Sequence, residues 1–288
     1  MDDFFMNGEQ MFFDAYTGSV MAIAHRGARS LAPENTLFAV SKARHAGAYA
    51  WEMDVQMTGD GQLVITHDET INRVSNVAFV PEFLDRKPWR VKDFTLAELR
   101  SLDFGSWYVR EDPFGQIAAG AVSATDAETY RGALIPTLEE GLRMTREHGF
   151  RINVEIKDLS GLPGDDVVTR KVLEMIDRFD LVEQAILSSF QFKYLLQARD
   201  ILPELPTAAL VEEENMPEGD ILTVLQNLGV QAWHPDKDIV KADDLRRVRD
   251  AGLFVNVYTV NDLHEMRFLV DKGVTGLITD FPQRVRGL

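Results

Sequence analysis

Three stretches set polar or charged side chains into runs that are otherwise apolar: Ile23-Ala24-His25-Arg26-Gly27, Trp51-Glu52-Met53-Asp54-Val55 and Arg151-Ile152-Asn153-Val154-Glu155-Ile156-Lys157. Burying such groups costs several kcal/mol unless something pairs with them. Read as β-strands, Glu52 and Asp54 fall on one face, with Met53 and Val55 on the other. Asn153, Glu155 and Lys157 likewise share a face opposite three β-branched residues. Where these faces meet, three carboxylates stand together and repel, and a divalent cation with oxygen ligands is the simplest remedy. A fourth stretch, Gln62 to His67-Asp68, follows Gly59-Asp60-Gly61 and reads as the second arm of a hairpin. A register in which residue numbers sum to about 119 sets His67 across from Glu52, and a slip of one residue would turn the side chains to the other face. Singly, a histidine after a strand is more often structural and a Glu-x-Asp is common. The signal lies in two histidines, three carboxylates, one Arg and one Lys all falling at strand ends.

The elements that must position these groups recur along the chain. Short β-branched or apolar runs occur at 20–24, 50–56, 151–156, 185–188, 207–210, 231–234, 254–258 and 276–279. Stretches with helical spacing lie between most of them, at 36–46, 137–148, 167–179, 192–201, 242–251 and 263–272. Gly47, Gly149, Gly252 and Gly273 stand where a left-handed residue would end a helix. Eight strand-helix units predict an α/β fold, a (β/α)8 TIM barrel that gathers the C-terminal strand ends at one mouth, with an open doubly wound sheet as the alternative.

One stretch breaks this rhythm. The chain reads as a single domain over 1–288 with an insertion at 69–135, after the hairpin of the second strand, too long for an ordinary connection. Within it, Thr95-Leu96-Ala97-Glu98 predicts a capping box opening a short helix, whereas Asp112 to Gly115 and 120–129 read as turns and mobile surface. On the mouth of a barrel such an insertion is either a lid that shapes the substrate site or an inert decoration.

Composition narrows the chemistry. The 288 residues carry a net charge of −16, which opposes binding to nucleic-acid backbones or anionic membranes. With no cysteine, disulfides, thiolate metal sites and cysteine nucleophiles are excluded. The first residues hold Asp2, Asp3, Glu9 and Asp14 among aromatics, unlike a secretory signal, so a cytoplasmic location is expected. No uncharged apolar run approaches the roughly 18 residues that span a bilayer, so no stable membrane insertion is expected.

Eight motifs, in order, resemble the glycerophosphodiester phosphodiesterase family: His25-Arg26-Gly27, Pro33-Glu34-Asn35-Thr36, Glu52-x-Asp54, His67-Asp68, Ile135 to Glu140, Asn153 to Lys157, Tyr258-Thr259-Val260-Asn261 and Ile278 to Pro282. The resemblance implies a (β/α)8 barrel that hydrolyses glycerophosphodiesters to sn-glycerol 3-phosphate and an alcohol with one divalent metal. By motif, Glu52, Asp54 and Glu155 match metal ligands, His25 and His67 the general acid/base pair, and Arg26 and Lys157 phosphate-binding positions. Tyr258 matches an aromatic wall for the glycerol or leaving group. An all-oxygen ligand set favours Mg2+ or Ca2+ over Zn2+. The departures lie in the insertion, longer here over 109–133. Two other functions compete: a phospholipase-D-like or phospholipase-C-like barrel acting on a lysolipid, and a barrel serving as a non-catalytic scaffold. The first lacks an amphipathic basic helix or anchor, and the second would be marked by loss of a histidine or carboxylate, none of which is missing.

Several further signals count for less. Asp103-Phe104-Gly105 has no kinase context, and Ser188-Ser189-Phe190 lacks the surroundings of a serine nucleophile. His45, His148 and His264 fall on helices, and His234 stands at a strand end where it either touches substrate or packs.

Overall fold

In chain order, the computed structural model opens with β1 (Met21–Ala24), α1 (Leu37–His45), β2 (Ala50–Met57) and β3 (Leu63–Ile65). Short helices α2 (Leu96–Leu99), α3 (Ser106–Glu111) and α4 (Ala124–Tyr130) precede α5 (Leu138–Glu147). Strand and helix then alternate through β4 (Arg151–Ile156), α6 (Val168–Arg178), β5 (Ala185–Ser189), α7 (Phe192–Ile201), β6 (Thr207–Val211) and α8 (Ile221–Leu228). The last units are β7 (Ala232–Pro235), α9 (Ala242–Asp250), β8 (Phe254–Val257), α10 (Leu263–Asp271) and β9 (Gly276–Thr279). The structure describes residues 12–13 and 16–288, so the acidic stretch holding Asp2, Asp3, Glu9 and Asp14 lies outside the described residues.

The parallel strands close on themselves, β1 pairing with both β2 and β9, which makes the eight-stranded (β/α)8 barrel expected from the sequence. Alternation then sorts the side chains. Trp51, Met53 and Val55 of β2 and Ile152, Val154 and Ile156 of β4 point outward into a core shared with Leu142, Val172 and Ile176 of the helices. Inside, toward the N-terminal strand ends, Ala50, Ile186, Ala208 and Ala232 pack with Phe12 and Phe13, and Ile278 of the same cluster reaches the mouth. The polar residues are left for the opposite end. Among the described residues no helix is long and apolar enough to cross a membrane.

The hairpin register differs from the expectation by one residue. Val55 pairs with Ile65, Gln56 with Val64 and Met57 with Leu63, a sum of 120, because the connection is a three-residue loop, 59–61, closed by Thr58 and Gln62 and ending on Gly61 at φ 77°. His67 is therefore not a ladder partner of Glu52. Beyond the ladder the chain wraps the buried Gln56 carboxamide, whose Nε2 donates to the carbonyls of His67 (2.9 Å) and Asp68 (2.6 Å), and this bend carries the imidazole to the mouth.

The stretch after β3 builds its own core from Val77, Phe83, Trp89, Phe94, Trp107, Tyr108 and Tyr130. The capping box of Thr95 and Glu98 is present. The reading of 120–129 as turns fails from Ser123 onward. The Ser123 hydroxyl accepts the Asp126 N–H and opens α4, which buries Ala127 and Tyr130. Two phenols tie this unit to the loop after β1, Tyr108 donating to Ser30 O (2.6 Å) and Tyr130 to Leu31 O (2.9 Å).

Candidate active site

The loop leaving β1 turns sharply. Arg26 has φ 55° and Gly27 φ 77°, and a Cβ on Gly27 would lie 2.6 Å from that of Ala39 in α1. A side chain at Gly27 is thus barred by both φ and contact. The turn aims the Arg26 N–H at Glu52 Oε2 (2.6 Å), while its guanidinium donates to Glu34 Oε1 (2.9 Å) and lies 3.4 Å from Asp54 Oδ2.

Glu52 and Asp54 on β2 and Glu155 on β4 are buried, with one oxygen from each within 4.8 Å of the others. Asp54 and Glu155 are direct register partners, which is why they meet. Burial pushes the Glu52 carboxyl well above the usual range, and the charges of Asp54 and Glu155 push it further. Glu155 is also raised by burial, with Lys157 opposing. Burial would raise Asp54 too, but His67, Lys157, Arg26 and a 2.8 Å hydrogen bond from Asn35 hold it well below. Glu52 Oε1, Asp54 Oδ1 and Asn153 Oδ1 are buried with no hydrogen-bond donor. Unsatisfied hard oxygens beside a charge-crowded triad fit a divalent cation. The Lys157 ammonium sits at the edge, 2.6 Å from Glu155 Oε1 and 3.4 Å from Asp54 Oδ1.

Each histidine is oriented by a carboxylate. His25 Nδ1 is 2.7 Å from Asp280 Oδ1, and His67 Nδ1 is 2.7 Å from Asp68 Oδ1. With Nδ1 donating to its carboxylate, Nε2 of each ring is the nitrogen left for proton transfer. Burial and the Arg26 charge hold His25 down at about 4, against the pull of Asp280, so at neutral pH it is uncharged. Asp280 accepts a second bond from Asn261 Nδ2 (2.8 Å). Asp68 accepts one from Arg73 Nε (2.6 Å), and the two terminal nitrogens of Arg73 reach Glu34 at 2.9 and 2.7 Å. Glu34 thus receives Arg26 and Arg73, with Arg29 at 3.2 Å. These arginines keep it ionised against its burial.

A cavity of about 220 Å3 brings His25, Arg26, Glu52, His67, Glu155 and Lys157 together, with Asn153. Asp54 joins through the triad rather than the cavity wall. The other half of the lining is Phe190, Leu210, Glu212, Tyr258, Thr259 and Ile278. Tyr258 stands edge-on to Phe190, ring centroids 6.0 Å apart. His234 resolves to packing: fully buried inside the barrel, its Nε2 accepts from Asn256 Nδ2 at 3.0 Å.

Several residues of this site had no role in the sequence reading. Asp68, Asp280, Glu34 and Asn35 stood inside the motifs without an assigned part. Arg73 lies five positions after Asp68 in a stretch read as insertion, and Phe190 and Glu212 follow strands with no motif to mark them.

Residues 25–284 match the model of the glycerophosphoryl diester phosphodiesterase family. The chain is 31% identical over 268 residues to a glycerophosphodiester phosphodiesterase of Bacillus subtilis, covering 91% of this chain and 84% of that protein. A glycerophosphodiester phosphodiesterase of Bacillus altitudinis is 30% identical, covering 91% and 94%. Among solved structures, an Oleispira antarctica phosphodiesterase in complex with the product sn-glycerol-3-phosphate superposes with a TM-score of 0.76 at 26% identity, covering 94% of this chain and 97% of that one.

Proposed function

The chain belongs to the glycerophosphoryl diester phosphodiesterase family, and from that premise we propose that it hydrolyses glycerophosphodiesters to sn-glycerol 3-phosphate and an alcohol. The observation that carries the reading is the pair of carboxylate-oriented imidazoles, His25 with Asp280 and His67 with Asp68, facing one cavity with the buried acidic triad.

Glu52, Asp54 and Glu155 would hold one divalent cation, Mg2+ or Ca2+, which when bound supplies positive charge to the phosphoryl oxygens. The Arg26 and Lys157 side chains add fixed positive charge for the same oxygens, preorganised by Glu34 and Glu155. Proton transfer falls to the histidines. At Nε2 one ring takes the proton of the attacking hydroxyl, and the other gives a proton to the departing alkoxide, each worth about 10² to 10⁴ in rate. We take the attacker to be the glycerol 2-hydroxyl. Its oxygen bonds to phosphorus as the head-group oxygen leaves, and water then opens the resulting cyclic phosphate with the ring roles reversed. Tyr258 and Phe190 form the wall beside the organic part of the substrate.

The test is turnover of glycerophosphodiesters with choline, ethanolamine, glycerol and inositol head groups, with EDTA as control and lysophosphatidylcholine as competitor substrate. Release of sn-glycerol 3-phosphate, lost in EDTA and restored by Mg2+ or Ca2+, is the expected result. Preference for the lysolipid, or turnover indifferent to EDTA, would overturn the proposal.

A further inference from the structure

Two rings of the inserted unit each lie against an arginine beside the mouth. The Trp107 ring, in α3, has its centroid 5.8 Å from the guanidinium carbon of Arg73, and the Phe114 ring, in the loop that follows, has its centroid 5.3 Å from that of Arg29. Each arginine in turn meets the carboxylate that orients one imidazole. Arg73 Nε donates to Asp68 Oδ2 at 2.6 Å, and Arg29 Nε lies 3.6 Å from Asp280 Oδ1, the atom that also meets His25 Nδ1. We infer that Trp107 positions His67 through Arg73 and Asp68, and that Phe114 positions His25 through Arg29 and Asp280; this rests on the acid/base roles proposed above and gives the inserted unit a part in the reaction.

Local structure sets both rings. Trp107 is buried, its Nε1 donating to Phe104 O at 3.1 Å. Asp112, at φ 41°, ends α3 and folds the chain back, its carboxylate accepting the N–H groups of Ile117 (3.0 Å) and Ala118 (2.8 Å). The loop closed in this way presents Phe114, which also stands edge-on to Phe281, the neighbour of Asp280, with centroids 5.6 Å apart. A guanidinium makes its hydrogen bonds in its own plane, as Arg73 does toward Asp68 and Glu34, and its faces are left to water. A ring over one face excludes that water and resists rotation of the fork. Burial would raise the Asp68 carboxyl, and the bonds from His67 and Arg73 hold it down at about 2, so it stays a charged acceptor for the imidazole. None of Trp107, Phe114, Arg29 and Arg73 is among the described residues that line the cavity. Their influence on turnover therefore passes through the carboxylates. Glu34, which takes both arginines, joins the two branches, so a change in one reaches the other only in weakened form.

The measurement, on the Mg2+-loaded protein, is kcat and KM for glycerophosphocholine together with the water exchange of the His25 and His67 Nδ1 hydrogens by ¹⁵N NMR, the rings assigned from His25→Gln and His67→Gln. Phe114→Leu is expected to lower kcat by about 3- to 30-fold with KM within about twofold. It should speed exchange at His25 by a similar factor and at His67 by less. Phe114→Tyr keeps the ring and should restore both values. Trp107→Leu should reverse the pattern, with His67 responding more than His25. If that variant does not fold, Arg73→Lys, which keeps the charge and loses the planar fork, decides the same branch. A kcat within about twofold of native for Phe114→Leu, or for the folded variant of the second branch, overturns the inference. Equal loosening of both rings, the mark of a merely structural role, overturns it as well. A native chain without turnover counts against the phosphodiesterase reading instead, and the exchange rates of the two rings still decide whether the inserted rings position them.

Discussion

The Asp280→Asn variant isolates what the carboxylate does for His25, because the neighbouring amide leaves it little choice of orientation. Asn261 Oδ1 accepts the Asp280 N–H at 3.0 Å and the Thr279 hydroxyl at 3.2 Å, so Asn261 Nδ2 must be the group that donates to Asp280 Oδ2 at 2.8 Å. A carboxamide at position 280 therefore keeps its oxygen toward Asn261 and turns its NH2 to His25 Nδ1. Flipping it would set two NH2 groups against each other, at about 1–3 kcal/mol for the unsatisfied donors. His25 Nδ1 then becomes an acceptor, the ring hydrogen moves to Nε2, and the nitrogen facing the cavity loses its lone pair. The expected loss is about 10² to 10⁴ in kcat, with a fold stability change of only about 1–2 kcal/mol, since the Arg29 guanidinium 3.6 Å away keeps Glu34 as counter-charge. The assay is kcat on glycerophosphocholine with a parallel melt, and ¹⁵N NMR of the histidines to read the tautomer. A kcat within tenfold of native, in a protein whose spectrum shows the hydrogen on Nε2, would refute the reasoning. Combining Asp280→Asn with Asn261→Asp supplies a second check. The new carboxylate keeps the backbone and Thr279 bonds and takes the NH2, so the amide oxygen turns back to His25. At least a tenfold recovery over the single variant is expected, and none would sink the tautomer account.

Glu155→Gln is expected to weaken divalent-metal binding by about tenfold or more in a calorimetric titration; an unchanged isotherm would remove Glu155 from the ligand set. His234, held down at about 3 by burial, makes stability depend on pH. Its folded value lies below the ordinary 6.5, so the unfolded chain takes the proton first, and about 1.4 kcal/mol is lost per pH unit as pH falls below about 6.5. Urea titrations of the native chain and His234→Gln between pH 6.5 and 4 should differ in slope by close to one proton, and equal slopes would contradict a neutral buried ring. Gly105 packs against α4 so closely that an added Cβ would lie 1.7 Å from Tyr130 O and 2.8 Å from the Ala133 Cβ. Gly105→Ala should therefore cost about 3 kcal/mol or more in chemical denaturation, and a loss under 1 kcal/mol would show that the two segments separate easily.

The barrel was legible because each strand is a short β-branched run whose outward face needs helix cover and whose inward face does not, a pattern plain in Trp51-Glu52-Met53-Asp54-Val55. Three helices escaped, Ser106–Glu111 among them, and the other two did so for opposite reasons. Ile221–Leu228 is apolar enough to lack a clear period, though Asp220 caps its start and Gly229 ends it at φ 71°. Ala124–Tyr130 was hidden by its small and polar composition, though Ser123 three residues before Asp126 marks a cap. The acidic triad was readable from alternation alone, since Glu52, Asp54 and Glu155 share the inward faces of adjacent strands. His67 was not placed correctly by pairing, because one glycine more in the turn changes the register and a Gln56 carboxamide, not a ladder, bends the chain. Arg73 acts through the Glu34 carboxylate, 39 positions away, and no local spacing announces such a partner.

The contact between His25 and Asp280 spans 255 residues and lies where the first strand meets the last, Ala24 beside Thr279. A chain emerging from the ribosome therefore carries the His25 imidazole unclamped until Asp280, 255 residues later, has been synthesised. Whatever binds the half-formed mouth earlier meets a triad and an Arg26 loop but no oriented His25. On the role proposed for His25, activity cannot return after dilution from denaturant until β9 has docked on β1.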